Sequence, residues 1–107
     1  MSKYTDTIYA LSSPQGKSAI AIIRVSGKGV IKIIRKISKI KKIIPNKTNL
    51  LFLRNKGVII DQSILIYFKS PNSFTGEDVA EIYCHGGFAV IDKISKTLEN
   101  NNVRLAE

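Results

Sequence analysis

Ala19-Ile20-Ala21-Ile22-Ile23-Arg24-Val25-Ser26-Gly27 decides how the chain is read. Seven residues, four of them β-branched, run to a Ser-Gly stop, and both strand faces are apolar apart from Arg24. Such a run predicts a central strand covered on both sides, with Arg24 on the Ile20/Ile22 face. Directly after it the period changes. Val30, Ile33, Ile34, Ile37, Ile40 and Ile44 recur at three- to four-residue spacing, while Lys28, Lys32, Arg35, Lys36 and Lys39 take the other face. This predicts an amphipathic helix bounded by Pro45, with Ser26 or the residue after it as its cap.

Working outward, Thr5 to Leu11 alternates as a short strand and Ser12-Ser13-Pro14-Gln15-Gly16 is loop chemistry. Leu50–Arg54 and Val58–Ile60 flank Asn55-Lys56-Gly57, a hairpin turn. The second arm continues through Ser63–Phe68, with a bulge expected near Asp61-Gln62. Ser70–Gly76 is a turn-rich loop. Asp78–Cys84 alternates again, with Val79, Glu81 and Tyr83 on one face and Ala80, Ile82 and Cys84 on the other. A second helix is predicted from about Gly87 to Leu98, and a last strand from Val103. The order β-β-α-β-β-β-α-β defines a single α+β domain over 1–107, a mixed or mostly antiparallel sheet with two packed helices.

Composition narrows the function. At 107 residues, 44% hydrophobic and 23% charged, the chain is an ordinary globular one. One cysteine forbids an internal disulfide, and with one histidine it leaves too few ligands for structural zinc. A reducing cytoplasm is the natural compartment. Met1 to Asp6 is polar and begins no signal sequence, and Leu50–Phe68 carries too much charge to cross a membrane. The net charge of +9 is lopsided: residues 1–60 carry +12 and residues 61–107 carry −3. A basic face of this kind meets a polyanion such as tRNA, or is simply solvated. The 13 Lys, 18 Ile and 7 Asn also follow from an AT-rich coding sequence, so the charge leaves both readings open.

Candidate chemistry is sparse. Gly16-Lys17-Ser18 looks like the end of a phosphate loop, but Leu11 stands where that loop needs glycine, and a strand follows rather than a helix. Cys84 and His85 are neighbours on a strand and point to opposite faces, so they make no nucleophile–base pair. A Ser–His–Asp arrangement elsewhere stays open, without a nucleophile elbow. The basic helix has the stripe that packing on a sheet requires, and its outer face is one that membranes or nucleic acids also accept. Arg24 and Glu81 are the sharper pair, each a charge in an apolar strand, where it must be paired or used. They pair with each other, or they face a planar ligand. A carboxylate matches the two parallel N–H groups of a 2-amino-4-oxo pyrimidine edge, and a guanidinium answers a carbonyl or carboxylate.

Several stretches together resemble one family. They are Asp6-Thr7-Ile8, Pro14 with Gly16, Ile22–Gly27, Pro71-Asn72-Ser73-Phe74-Thr75-Gly76-Glu77-Asp78-Val79, and His85-Gly86-Gly87 at its spacing. The resemblance is to the N-terminal domain of the tRNA-modification GTPases of the MnmE (TrmE) family, and it covers the chain most weakly over 28–56. It implies a fold similar to the folate-binding T-protein of the glycine cleavage system. It also implies binding of a tetrahydrofolate derivative, with 5-formyl-tetrahydrofolate as a stable analogue, and a homodimer. Arg24 and Glu81 fall on the family's folate-contacting arginine and glutamate, and a further lysine contact lies outside 1–107. The implied function is the folate-binding and dimerisation part of an enzyme that modifies C5 of the tRNA wobble uridine. Folate would be the one-carbon source, the flavoprotein MnmG and tRNA partners of the full-length protein, and no membrane would be involved. GTP, magnesium and potassium belong to a G domain outside these residues, so the chain by itself hydrolyses no GTP. Gln15 stands where a second proline is usual, and Ser18 where glycine is usual.

Overall fold

The structure, a computed structural model, describes residues 7–12, 19–70 and 76–106. Its elements are β1 (Thr7–Leu11), β2 (Ile20–Ser26), α1 (Val30–Ser38), β3 (Thr48–Asn55), β4 (Val58–Phe68), β5 (Val79–His85), α2 (Phe88–Glu99) and β6 (Val103–Leu105), in the order expected from the sequence. The strands form one six-stranded sheet, β3-β4-β5-β2-β1-β6. Every pairing is antiparallel except β1 with β6. Thr5, Asp6, the Gly16-Lys17-Ser18 tripeptide and Pro71–Thr75 lie outside the described residues. The strand that argued against a phosphate loop is present as β2.

The core is one cluster on one side of the sheet. Ala21, Ile23, Val25, Leu51, Leu53, Leu65, Ala80, Ile82 and Cys84 meet Val30, Ile34 and Ile37 of α1 and Ile94 and Leu98 of α2. Both helices therefore cover the same face. This corrects the expectation that β2 is covered on both sides. It is an interior strand, but Ile20 is 58% exposed and Ile22 only half-buried on the helix-free face. A continuous apolar run marks an interior strand; it does not say how many of its faces carry helices.

The first helix is shorter than its isoleucine repeat. Lys39 enters the left-handed region (φ 57°), and its N–H returns to the Arg35 carbonyl. Ser38 Oγ donates to the Ile34 carbonyl and accepts the Ile40 N–H, so its side chain competes with the next helical turn. Asn49 then takes over the backbone groups that a longer helix would have bonded. Its Oδ1 accepts the Ile44 N–H, and its Nδ2 reaches the Ile44 and Lys47 carbonyls. Ile40 and Ile43 still pack against the core, from an irregular segment. The residue at the N-terminal end is Gly29, not Ser26 or Gly27, and no side chain caps it.

The hairpin forms as its turn chemistry demands. Asn55 pairs with Val58, and Lys56 and Gly57 both take positive φ, at 52° and 81°. That is the primed turn that matches strand twist. The register shifts between Leu53/Asp61 and Arg54/Ile59, so the extra residue is Ile60, one position before the expected Asp61-Gln62.

Ile82 is fully buried at the centre of the sheet. Ile82→Ala is expected to cost about 2–5 kcal/mol by loss of buried surface plus a cavity. Val58→Ala, on a 66% exposed side chain, is expected to stay within about 0.5 kcal/mol. Urea denaturation of both variants checks this, and equal midpoint shifts would contradict the assigned core.

Candidate functional site

Arg24 and Glu81 are direct cross-strand partners in the β2–β5 ladder. The alternation of both strands puts them on the face away from the helices, in a row that runs Thr48, Ile66, Glu81, Arg24, Ala10 across five strands. Arg24 Nη2 donates to Glu81 Oε2 at 2.7 Å and Nε reaches the same oxygen at 3.3 Å. The carboxylate is buried, whereas 38% of the arginine side chain is exposed. The two charges converge, as a shared site requires.

A third residue joins them. Tyr83 OH donates to Glu81 Oε1 at 2.8 Å. That hydrogen bond holds the Tyr83 proton and raises its pKa, with burial adding to the effect. Glu81 therefore has an arginine on one oxygen and a phenol on the other, and its orientation is fixed from both sides. The sequence carried the signal: residues 81 and 83 share a strand face. What period alone does not give is that the phenol reaches back along the strand to the carboxylate.

The surroundings are apolar, and no described helix covers them. Ile20, Leu50, Phe52 and Ile64 are exposed on this face. Beside Tyr83 lies a shallow hollow of about 180 Å³ lined by Ile20, Gln62, Ile64, Tyr83, Cys84 and His85.

Cys84 and His85 separate as their alternation requires. Cys84 is buried, with Sγ 3.6 Å from the Ala21 carbonyl. The His85 ring is largely exposed, and its Nδ1 lies 2.6 Å from Asp61 Oδ1. Asp61 Oδ2 also accepts from Ser63 Oγ at 2.6 Å and from the His85 backbone N–H at 3.2 Å. Ser63, Asp61 and His85 are thus together, but the carboxylate is in the middle and the serine is buried. A hydroxyl bonded to the acid rather than to the imidazole is not activated as a nucleophile. The cluster ties the end of β5 to β4. No group of three or more metal-ligating side chains occurs among the described residues, and no described helix is long and apolar enough to cross a membrane.

Comparison with known proteins gives the family of the chain. The family model described as "GTP-binding protein TrmE N-terminus" matches residues 7–107. Proteins named tRNA modification GTPase MnmE are similar along almost the whole chain. The one from Sulfurovum sp. (strain NBC37-1) is 44% identical over 106 residues, covering 98% of this chain and 24% of its own length. The one from Fervidobacterium nodosum is 49% identical over 110 residues, covering 95% and 24%. The one from Helicobacter pylori (strain HPAG1) is 40% identical over 102 residues, covering 95% and 22%. The chain is thus an α+β domain of the TrmE N-terminal class, and it belongs to that family. It spans about a quarter of the length of the curated relatives it matches.

Burial, with the negative charge of Asp61 adding to it, pushes the Cys84 thiol up to about 11. At pH 8 its thiolate fraction in the folded protein is on the order of one in a thousand. Iodoacetamide is therefore expected to label Cys84 rapidly in urea and slowly in the native state; fast native labelling would place the thiol at the surface. The linkage has a definite sign. The folded pKa lies above the ordinary value of 9.0, so this stabilisation is complete below pH 9 and is lost as pH rises through 11. Tyr9, Tyr67 and Tyr83, all raised above 10.0, add to the same alkaline decline.

Proposed function

We propose that this chain is the tetrahydrofolate-binding and dimer-forming part of a cytoplasmic tRNA-modification GTPase that acts on C5 of the wobble uridine. The observation that carries the reading is the Arg24–Glu81 pair. It stands where the family's folate contacts would fall, it is held by Tyr83, and it is set in an apolar face that no described helix covers. The pair also satisfies itself, as a purely structural role would require. Ligand binding is favoured by what is left over. Oε1 accepts one hydrogen bond and keeps acceptor capacity, and the guanidinium is exposed enough to turn from Oε2 toward a ligand carbonyl.

In this reading Glu81 accepts the paired N–H groups of the pterin. Arg24 offers N–H donors to the pterin carbonyl or to the one-carbon substituent. Tyr83 fixes the carboxylate rotamer, and the neighbouring isoleucines keep water from the ring faces. Folate supplies the one-carbon unit; the chain positions it. GTP, magnesium, potassium, the flavoprotein MnmG and tRNA would meet other parts of the complete enzyme. The exposed Ile20, Leu50, Phe52 and Ile64 supply the apolar area that a second copy would cover.

Calorimetry with 5-formyl-tetrahydrofolate tests the site. Glu81→Gln presents a donor to a donor and is expected to weaken binding by roughly 1.5–3 kcal/mol, about tenfold to a hundredfold. Arg24→Ala should weaken it similarly, and Lys36→Ala, on the other side of the sheet, should not. Melting curves of the same variants separate lost binding from lost folding. Unchanged affinity in Glu81→Gln would leave the pair structural.

Light scattering tests the assembly. A homodimer with an interface of roughly 1,200 Å² or more is expected, and a monomer at high micromolar concentration would count against it.

A further inference from the structure

The hollow beside Tyr83 has a polar end that the reading above does not use. It measures about 180 Å³; Ile20, Ile64 and Tyr83 give it apolar walls, and Gln62 and His85 stand in the same lining. Residues 81, 83 and 85 alternate onto one face of β5, so Glu81, Tyr83 and His85 follow one another along the strand. Four residues of strand rise put His85 about 13 Å from Glu81, backbone to backbone. The Tyr83 hydroxyl is taken by Glu81. On the strands to either side, Ile20 and Ile64 keep 58% and 41% of their surface exposed.

Asp61 does more at His85 than a strand tie requires. Its Oδ2 accepts the His85 backbone N–H and Ser63 Oγ, and the first of these bonds already joins the end of β5 to β4. Its Oδ1 lies 2.6 Å from the ring Nδ1 as well. The His85 side chain is 70% exposed, and an exposed imidazole that packing does not hold keeps its rotamer freedom. Here a buried carboxylate removes that freedom. In the neutral ring the bond to a carboxylate places the proton on Nδ1 and makes Nε2 the acceptor. A side chain fixed by a buried partner and presenting one defined acceptor is organised for a ligand. The hollow thus offers an acceptor at His85, a carboxamide at Gln62, and apolar walls between these and the Glu81 end.

We propose that the hollow is the second half of the ligand site that begins at Glu81, and that it takes an aromatic arm ending in an amide. The ring of the arm lies on Ile20, Ile64 and Tyr83. The amide N–H that follows the ring donates to His85 Nε2, and the Gln62 side chain donates to the amide carbonyl. The inference rests on the folate reading, in which the pterin is held at Glu81. A pterin alone is too short to reach His85. A folate carries the matching groups in the matching order: paired N–H donors, an apolar aminobenzoyl ring, then an amide. His85 is then the residue that selects a ligand with its arm over one without.

The test compares 5-formyl-tetrahydrofolate with 5-formyl-6-methyl-tetrahydropterin, which lacks the arm. His85 is the single histidine of the chain, so nitrogen NMR reads its imidazole without ambiguity. The folate is expected to shift the Nε2 resonance, and the armless pterin to bind and leave it in place. By calorimetry, His85→Phe is expected to weaken the folate about twofold to tenfold, the worth of one neutral hydrogen bond, and to leave the pterin unchanged. Glu81→Gln weakens both compounds. Melting curves show that each variant is folded. A folate that binds without moving Nε2, or a His85→Phe variant that keeps the parent's preference for folate over pterin, overturns this inference and leaves the pterin site standing. Failure of both compounds to bind the parent overturns the folate reading and this inference with it.

Discussion

A one-residue slip of β5 against β2 would carry Glu81 from the face of Arg24 into the face packed by both helices. It would also bring Ile82 out beside the guanidinium. Burying an unpaired carboxylate there costs several kcal/mol, and turning Ile82 outward forfeits most of its burial as well. The Arg24–Glu81 pair is therefore a register lock at the centre of the sheet, whatever else it binds. β4, β1 and β6 take their positions from β5 and β2, and both helices pack on the face that this register makes apolar. The 2.7 Å contact adds little as a surface ion pair, because the arginine is more than a third exposed. Its effect lies in the alternatives it excludes.

The element order was legible because the period changes sharply, from the run ending at Val25 to the repeat beginning at Val30, and again between Glu81 and Val90. The hairpin at Lys56-Gly57 was legible from turn chemistry alone. What the sequence hid was competition at short range. The isoleucine repeat runs on to Ile44, but Ser38 bonds back to its own helix and Asn49 collects the carbonyl and amide of Ile44. Both are side-chain bonds that periodicity does not register. Layering was hidden too, since an interior strand with apolar residues on both faces reads alike whether the second face meets a helix or an open surface.

The candidate pair was legible for the opposite reason. A charge in an apolar strand stands out without any three-dimensional knowledge, and two such charges on interior strands have few places to go. Tyr83 was half-legible: its face followed from the alternation, its bond to Glu81 Oε1 did not. Asp61 was illegible as a hub, since Ser63 and the ring and backbone of His85 reach it only once the bulge at Ile60 and the β4–β5 pairing are in place.

The sheet thus gives its two faces different chemistry: one packs the helices on an apolar core, the other carries the charged pair. On the helix-free side the Glu81 carboxylate is buried among apolar residues and held by an arginine and a tyrosine. On the helix side the polar groups that are buried, such as Ser38 and Thr97, bond back to the carbonyls of their own helices. An anion brought to Glu81 would meet a buried negative charge, whereas an N–H donor would meet an acceptor. The excess of basic residues before position 60 is therefore not spread evenly over chemistry. Among the described residues most of it is exposed to solvent, and Arg24 alone of the described basic residues before position 60 is held on a buried carboxylate.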